Sequence, residues 1–321
     1  MMHQHQLFSI RSHLYNAMKK LIILSTIVFI SIQSFACPIC GCGVGNFYLG
    51  LLPNFKNHFV GVRYQFMQYH TQLKDDASQF GTDYYRTAEI WSGWSIGKKW
   101  QLLTFIPYHF NMQNTDDGIE KENGLGDITV LGNYKLFQKT KMNTAKRTST
   151  SQELWIGGGV KMPTGKYHLD LNDPEGNLGD VNSQMGTGSV DFLLNTTYDL
   201  RLNKFGINTS LNYKINTTNS DHYDFGNRFT ANSFGYYNIS VHSVSIVPNA
   251  GVLYEHADAN HLNNSKVDLT GGYVALAVTG AELSYNKINV GANVQLPFAQ
   301  DFAEGQTVAR TRGMVHVTFT F

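Results

Sequence analysis

Cysteine is nearly absent from this sequence of 321 residues: Cys37, Cys40 and Cys42 stand close together, and no other follows. A disulfide-bonded scaffold needs cysteines spread along the chain, so that class is excluded. Proline is scarce too, with 7 residues, and charged residues make up only 15% of the chain, against roughly 25% in typical soluble domains. The net charge of +1 excludes the strongly basic surface of a nucleic-acid-binding protein.

Long hydrophobic runs are also missing. The run LIILSTIVFISI after Lys19-Lys20 spans 12 residues, whereas a membrane-spanning helix needs about 20. Small residues stand first and last in Ser34-Phe35-Ala36, so this stretch has the pattern of a secretory signal peptide. We therefore expect a mis-called extension over 1–17, a cleaved signal peptide over 18–36, a periplasmic segment with the cysteines over 37–57, and the folded domain over 58–321.

What the sequence has in abundance is alternation with a period of two residues, the pattern of β-strands with two different faces. In KINVGANVQLPF (287–298), apolar residues occupy every second position from Ile288 to Phe298, and polar or small residues occupy most of the others. Such segments recur and predict about twelve strands: 58–70, 84–97, 100–111, 124–138, 152–162, 184–200, 204–216, 224–241, 243–256, 268–283, 286–298 and 307–321.

The connections between these segments alternate in length. Those after odd-numbered strands are long, polar and acidic, as in DLNDPEGN (170–177), whereas most of those after even-numbered strands are tight, as at Lys98-Lys99. This asymmetry predicts an all-β fold, a transmembrane antiparallel β-barrel of the outer-membrane type. The exception is QKTKMNTAKRTSTS (138–151), which stands where a short turn is expected. We expect the first and last strands to pair and close the barrel.

Aromatic residues indicate where this barrel would meet the membrane surfaces. They cluster near the ends of the predicted strands, for example Trp94 and Trp100, as interfacial girdles do. The sequence ends at Phe321 in an alternating strand, and an aromatic residue there resembles the signal read by barrel-insertion machinery. We therefore expect that machinery and outer-membrane lipid as partners, the outer membrane of a Gram-negative-type bacterium as the location, and both termini on the periplasmic side.

Three glycine motifs carry a family resemblance: GLGDITV from Gly124, GVKMPTG ending at Gly165, and GTGSVDF from Gly186. They resemble the outer-membrane transporter-like proteins named for the MetA-pathway of phenol degradation. The resemblance implies a barrel channel for small solutes, hydrophobic or aromatic ones among them, and it implies no particular binding residues. The CPICGC stretch is not part of the family pattern.

Several charged residues fall on the polar faces of the predicted strands and would point into the barrel. Charges are tolerated in a barrel interior and are costly on the lipid side. Their expected role is mutual pairing inside a narrow barrel, and the alternative is binding and selection of the passing solute. These candidate lumen residues are Arg63, Glu89, Asp127, Lys135, Lys161, Asp191 and Lys214.

The three cysteines would lie at the mature N-terminus, on the periplasmic side. Thiolates spaced as in Cys37, Cys40 and Cys42 suit a soft ion, so Cu or Zn is the one cofactor we consider. A disulfide with a spare thiol, formed in an oxidising periplasm, is an alternative. A lipid on Cys37 is another. A catalytic redox motif would need a βαβ context that this sequence lacks.

The text GWSIG (93–97) matches the nucleophile motif G-x-S-x-G, whose chemistry needs a strand, a turn and a helix. Here the motif lies in a predicted strand with another strand after it, and no serine is spaced to work with His109 or His316. We therefore expect that the protein is not an enzyme. The function favoured is passage of small solutes through the barrel. The alternative is a non-transporting barrel that binds soft metal through its cysteines, or one with a structural or adhesive role.

Overall fold

The structure, a computed structural model, describes residues 58–74, 80–115, 118–143, 148–167 and 184–321. The cysteines and the expected signal peptide lie outside these residues. Nearly all regular structure in the described residues is β-strand, with one short 3₁₀ turn at Ala303–Gly305. No helix in the described ranges is long and apolar enough to cross a membrane.

Twelve antiparallel strands form one sheet that closes on itself, as the sequence predicts, and three of the strands are interrupted. Successive strands are neighbours throughout, which is the topology of an up-and-down barrel. We number them β1 (Phe59–Gln72), β2 (Phe80–Ile96), β3 (Trp100–Thr115), β4 (Gly118–Leu125 and Thr129–Asn143), β5 (Thr148–Lys161), β6 (Asp191–Leu202), β7 (Phe205–Ile215), β8 (Arg228–Tyr237 and Ile239–Val241), β9 (Val244–Ala257), β10 (Gly272–Tyr285), β11 (Ile288–Phe302) and β12 (Thr307–Ala309 and Arg312–Thr320).

The barrel closes between its first and last strands. β1 runs antiparallel to β12, with Phe59 opposite Thr320 and Phe66 opposite Gly313, and the pairing continues to Thr71 opposite Thr307. The predicted closure is therefore confirmed. Closing the sheet gives every strand two partners, which a strand in hydrocarbon needs because no water can satisfy its backbone there.

The two faces of the wall differ in the way that a membrane barrel requires. On β1, Val62 is 56% exposed, whereas the next residue, Arg63, is 1% exposed. The same alternation continues around the barrel, so the exposed face carries mainly large apolar side chains. An apolar surface of this extent would aggregate in water, and it fits the outward band of a barrel that lies in lipid.

Three of the tight turns use two residues, with positive φ at the first. These residues are Asn203 (φ 56°), His242 (φ 54°) and Asn286 (φ 52°), and each turn joins two strands directly. Such turns match the twist of an antiparallel pair. They lie on the rim where the sequence predicts short connections.

The expectation of a long loop over 138–151 needs correction. β4 continues to Asn143 and β5 begins at Thr148, with Gln138 opposite Glu153 and Asn143 opposite Thr148. The segment is therefore a two-stranded hairpin that extends past the short-turn rim, and its β4 side is exposed. The run from Thr148 to Ser151 stays paired with the end of β4, because β-branched Thr is well suited to strands.

Two predicted strands also differ from the observed ones. The stretch 184–190, expected to begin β6, is not a strand, because Gly188 has φ 68° and the strand starts only at Asp191. β4 is interrupted at 126–128, between Leu125 and Thr129. Both irregularities lie in the glycine motifs.

Candidate functional site

The barrel interior holds all of the predicted lumen residues. Their side chains are buried, with at most 8% exposure in any of them, and lie on the inward face of the wall. A role for these residues in binding solute stays a prediction. The residues concerned are Arg63, Glu89, Asp127, Lys135, Lys161, Asp191 and Lys214.

Asp127 is the centre of the first group of contacts. It sits in the interruption of β4, and its carboxylate accepts from the Lys161 ammonium at 2.5 Å. The backbone N–H groups of Gly165 and Thr187 donate to it at 2.9 Å each. A carboxylate with several donors is well satisfied although it is buried. Asp127 therefore ties β4 to the segments that contain Gly165 and Thr187.

Asp191 continues the network at the start of β6. Its carboxylate lies 2.8 Å from the Lys161 ammonium and 3.9 Å from that of Lys214. The Ser189 hydroxyl donates to it at 2.8 Å, and the Thr217 N–H donates at 3.2 Å. Two carboxylates and two ammonium groups thus compensate one another, which is the condition for burying charge at acceptable cost.

The family motifs meet in this network. Thr164 of the Pro-Thr-Gly corner donates its hydroxyl to the Gly126 carbonyl at 2.9 Å and accepts from the Ile128 N–H at 2.8 Å. A Cβ on Gly186 would overlap both Asp127 and the Gly165 backbone. The glycines are therefore needed for close approach of the chain. The three motifs, distant in sequence, thus build one structure, which we call the motif network.

A second group of charges lies between β1 and β2 and across β10 to β12. Arg63 pairs with Glu89, and its guanidinium lies 5.3 Å from the centre of the Trp91 ring. His316 Nε2 lies 3.1 Å from Glu282. These two side chains meet across β11 at Gly291, where a Cβ would overlap both.

Sequence reasoning missed several interior groups, including Glu282, His316 as a lumen residue, and the pair Arg312 and Glu255. Arg312 donates to Glu255 at 2.7 Å and to the Tyr69 hydroxyl at 2.8 Å. The alternation of faces along β12 predicts Arg312 as an interior residue too, because it shares its face with His316 and Thr318. Glu282 was hidden because apolar residues occupy both faces of β10.

Amide side chains connect neighbouring strands on the same inner wall. Asn133 donates to Gln101 at 3.4 Å and accepts from Asn195 at 2.9 Å. The second bond passes over β5 at Gly157, where a Cβ would overlap both asparagines. A glycine thus lets side chains of β4 and β6 meet directly across the strand between them.

The interior is also partly apolar, which a simple polar-inside pattern does not predict. One buried cluster lies near the short-turn half and the other spreads toward β8 to β12. The first comprises Phe59, Trp91, Leu103, Phe105, Leu131 and Leu193, and the second includes Met67, Tyr69, Tyr85, Phe234, Leu253, Val274, Leu276 and Phe302. Aromatic and aliphatic side chains therefore line much of the inner wall.

Lys135 lies apart from the other lumen charges. Its ammonium is 4.6 Å from the centre of the Trp155 ring and donates to Gln138 at 3.2 Å. These three residues line a cavity of about 280 Å³ that also borders the turn at Lys98. The cavity therefore opens near the short-turn rim.

The metal site expected at Cys37, Cys40 and Cys42 falls outside the described residues and stays a prediction. Within the described ranges no cluster of three or more His, Cys, Asp or Glu side chains is arranged to hold a metal ion. We expect purified protein to carry Cu or Zn and a variant with all three cysteines changed to serine to carry none. Equal metal content in the two proteins would contradict the site.

Known proteins match this chain by sequence family and by fold. The family model described as "Putative MetA-pathway of phenol degradation" matches residues 66–308. Among curated proteins, none matches the sequence significantly. A crystal structure of an outer membrane channel from Pseudomonas putida F1 superposes with a TM-score of 0.58 at 15% identity, covering 83% of this chain and 96% of that one.

A second solved structure, the transport unit of the autotransporter AIDA-I from Escherichia coli, gives a TM-score of 0.50 at 10% identity and covers 86% of this chain and 94% of that one. These likenesses show an outer-membrane type of barrel fold. The family model covers most of the chain and includes all three glycine motifs. The chain therefore belongs to the MetA-pathway of phenol degradation family.

Proposed function

We propose that this barrel lets small uncharged solutes, hydrophobic and aromatic ones among them, pass through the outer membrane. The observation that carries the proposal is the pairing of charge inside the barrel. Arg63 faces Glu89, Lys161 faces two carboxylates, and Arg312 faces Glu255. Family membership and the fold of the Pseudomonas putida channel support the broader idea of a barrel channel.

Paired charges favour neutral solutes over ions. A channel selects ions when its wall carries uncompensated charge of the opposite sign, as the charged rings of selective channels do. Here the interior charges named above already face an opposite charge or an aromatic ring. A neutral solute needs no such partner, and it can exchange hydrogen bonds with the amides of Gln101, Asn133 and Asn195. The solute class is therefore uncharged.

The apolar inner wall accounts for the hydrophobic part of the proposal. Two buried clusters contain Phe, Tyr, Trp, Leu, Met and Val side chains on the inner face. Transfer of apolar surface from water to such a wall is favourable, at roughly 25 cal/mol for each Å² covered. Because the favourable contacts are spread along the wall, a small solute can bind weakly at several places and still leave.

We propose passage without a catalytic step. The motif from Gly93 to Gly97 ends β2 and passes through a turn into β3, so it lacks the helix that a nucleophile elbow requires. The backbone N–H of Ser95 donates to His58 Nδ1 at 3.2 Å.

Solute uptake by reconstituted protein tests this function. We expect proteoliposomes to swell in arabinose and in phenyl glucoside but only weakly in sodium gluconate, because the last solute is charged. Empty liposomes of the same lipid are the control. No uptake above these controls would contradict the channel and favour a non-transporting barrel. Equal rates for gluconate and arabinose would contradict selection for neutral solutes alone.

We also propose that the long connections face the cell exterior and that both termini face the periplasm. Outer-membrane barrels have short periplasmic turns and long external loops, and the tight turns here lie together with Phe59 and Thr320 on one rim. An epitope inserted near Asp117 or Asp173 should bind antibody on intact cells. One inserted after Ser284 should bind only after the outer membrane is opened. The reverse pattern would invert the orientation.

A further inference from the structure

Arg86 is an arginine on the outward face of the barrel. In the sheet it lies between Phe66 on β1 and Phe110 on β3, which are 43% and 45% exposed on that face. The interior arginines Arg63 and Arg312 each have a carboxylate partner. Within the described part of the chain, no carboxylate lies within ion-pair distance of Arg86. Its guanidinium lies 6.0 Å from the centre of the Tyr84 ring.

The position of Arg86 along β2 places it at a membrane surface. The other end of the outward face of β2 is Ile96, next to Trp94 and the turn to β3. Ten residues of strand tilted by about 40° span roughly 25 Å across the membrane, the height of the apolar band of such barrels. The row of Phe66, Arg86 and Phe110 therefore forms the outer edge of that band. Arginine is costly at mid-membrane but is tolerated at this depth.

Charge is sorted by face on the neighbouring segment of β4. Glu120 and Glu122 are paired with Gln113 and Asn111, residues of the inward face of β3. Lys121 between them is paired with Met112, which lies beside Tyr84 on the outward face. The acidic side chains thus follow the inward face and the basic one follows the outward face.

Arg86 and Lys121 are close enough to act on one ligand. Lys121 lies two strands from Arg86 and one outward row nearer to the long-loop rim. With strands about 4.8 Å apart and a rise of about 3.3 Å per residue, the two Cα atoms are about 12 Å apart. Their long side chains can converge on one anionic group or hold two neighbouring ones.

We propose that Arg86 and Lys121 bind the phosphate groups of a lipid headgroup in the outer leaflet. Phosphate suits this pair, because an arginine fork and a lysine ammonium are strong donors to its oxygens. Tyr84 and Tyr108 flank the site, and Tyr108 donates to Asn123 on β4 at 3.3 Å. Tyr84, on the long-loop side of Arg86, then lies at headgroup depth, and Tyr108, one row nearer to the middle of the band, meets the acyl chains together with Phe66 and Phe110.

The test is binding of bisphosphorylated lipid A to full-length protein in zwitterionic nanodiscs, read as bound lipid by native mass spectrometry. Each basic residue near a membrane surface contributes about a fivefold change in affinity. We therefore expect Arg86→Gln or Lys121→Gln to weaken binding about fivefold and the double variant to weaken it about twenty-five-fold. Arg86→Lys, which keeps the charge, should stay close to the original protein.

Two controls make the result specific. Lys139 is an exposed lysine on the hairpin at the opposite rim, and Lys139→Gln should leave lipid binding unchanged. Excess inorganic phosphate should not compete, since the acyl chains hold the headgroup at the site. Competition by free phosphate would identify a soluble anion in place of a lipid and overturn the proposal.

Equal binding by the double variant and the original protein would also overturn it, as would an equal loss with Lys139→Gln. Should Arg86→Gln fail to assemble, as judged by heat-modifiable migration, Lys121→Gln and Arg86→Lys still decide the question. No loss with Lys121→Gln would then count against the site.

Discussion

Replacing Asp191 with alanine should lower the free energy of unfolding by about 3–5 kcal/mol, because the change leaves two buried ammonium groups without their shared carboxylate. Lys161 lies 2.8 Å from Asp191, and Lys214 lies 3.9 Å from it. The side chain of Asp191 is 0% exposed, so water cannot replace the lost partner. Urea unfolding of the protein in detergent micelles or lipid vesicles measures the difference.

Asp258→Ala is the matched control. Asp258 also has a basic neighbour, His256, whose Nε2 lies 3.3 Å from its carboxylate, but both side chains are about half exposed. An exposed pair contributes at most about 1 kcal/mol, so this variant should unfold almost as the original protein does. Similar losses in the two variants would contradict the view that the motif network stabilises the barrel by compensating buried charge.

Gly157→Val should lower the stability by about 3 kcal/mol or more, since it adds the strain of overpacking to the loss of a buried hydrogen bond. A Cβ at this position would overlap Asn133 and Asn195, which bond to each other across β5 at 2.9 Å. The fraction of protein with folded, heat-modifiable migration after refolding, together with the urea midpoint, measures the effect.

Gly132→Ala provides the control in the adjacent strand. Among the described residues, a Cβ there would meet only the Gly158 carbonyl, at the ordinary contact distance of 3.9 Å. This variant should assemble normally, and its stability is compared directly with that of Gly157→Val. Equal behaviour of the two would mean that the contact across Gly157 is not needed for the fold.

The strands could be predicted because a membrane barrel imposes a simple rule on its sequence. Residues of the exposed face must be apolar, so the alternation from Ile288 to Phe298 appears directly in the letters. The irregular places could not be predicted in the same way. Gly188 and the interruption at Asp127 are set by contacts between segments that are distant in sequence, and a local pattern carries no record of them.

The interior site shows the same division. The alternation of inward and outward residues along each strand predicts that Arg63, Lys161 and Asp191 point inward, because it applies to charged residues as well as to apolar ones. Which partners they find depends on register, and one residue of shift would exchange the two faces. Glu282 stayed hidden because the inner wall of β10 is otherwise apolar, with Val274, Leu276 and Val278 buried beside it. Where the inner wall is apolar as well, the two faces of a strand no longer differ in polarity, and the sequence pattern does not identify its inward residues.

The seam between β1 and β12 has a consequence for how the barrel forms. Most neighbouring strands are joined by connections that form hairpins early, whereas Thr71 and Thr307 meet across 236 residues of chain. Contacts between residues so far apart in sequence form late, because closing the long loop costs conformational entropy before the contact is made. Until then β1 and β12 are two open edges with unpaired backbone, which hydrocarbon cannot satisfy. Until the barrel closes, folding therefore depends on another surface that pairs with or covers the open edges of β1 and β12.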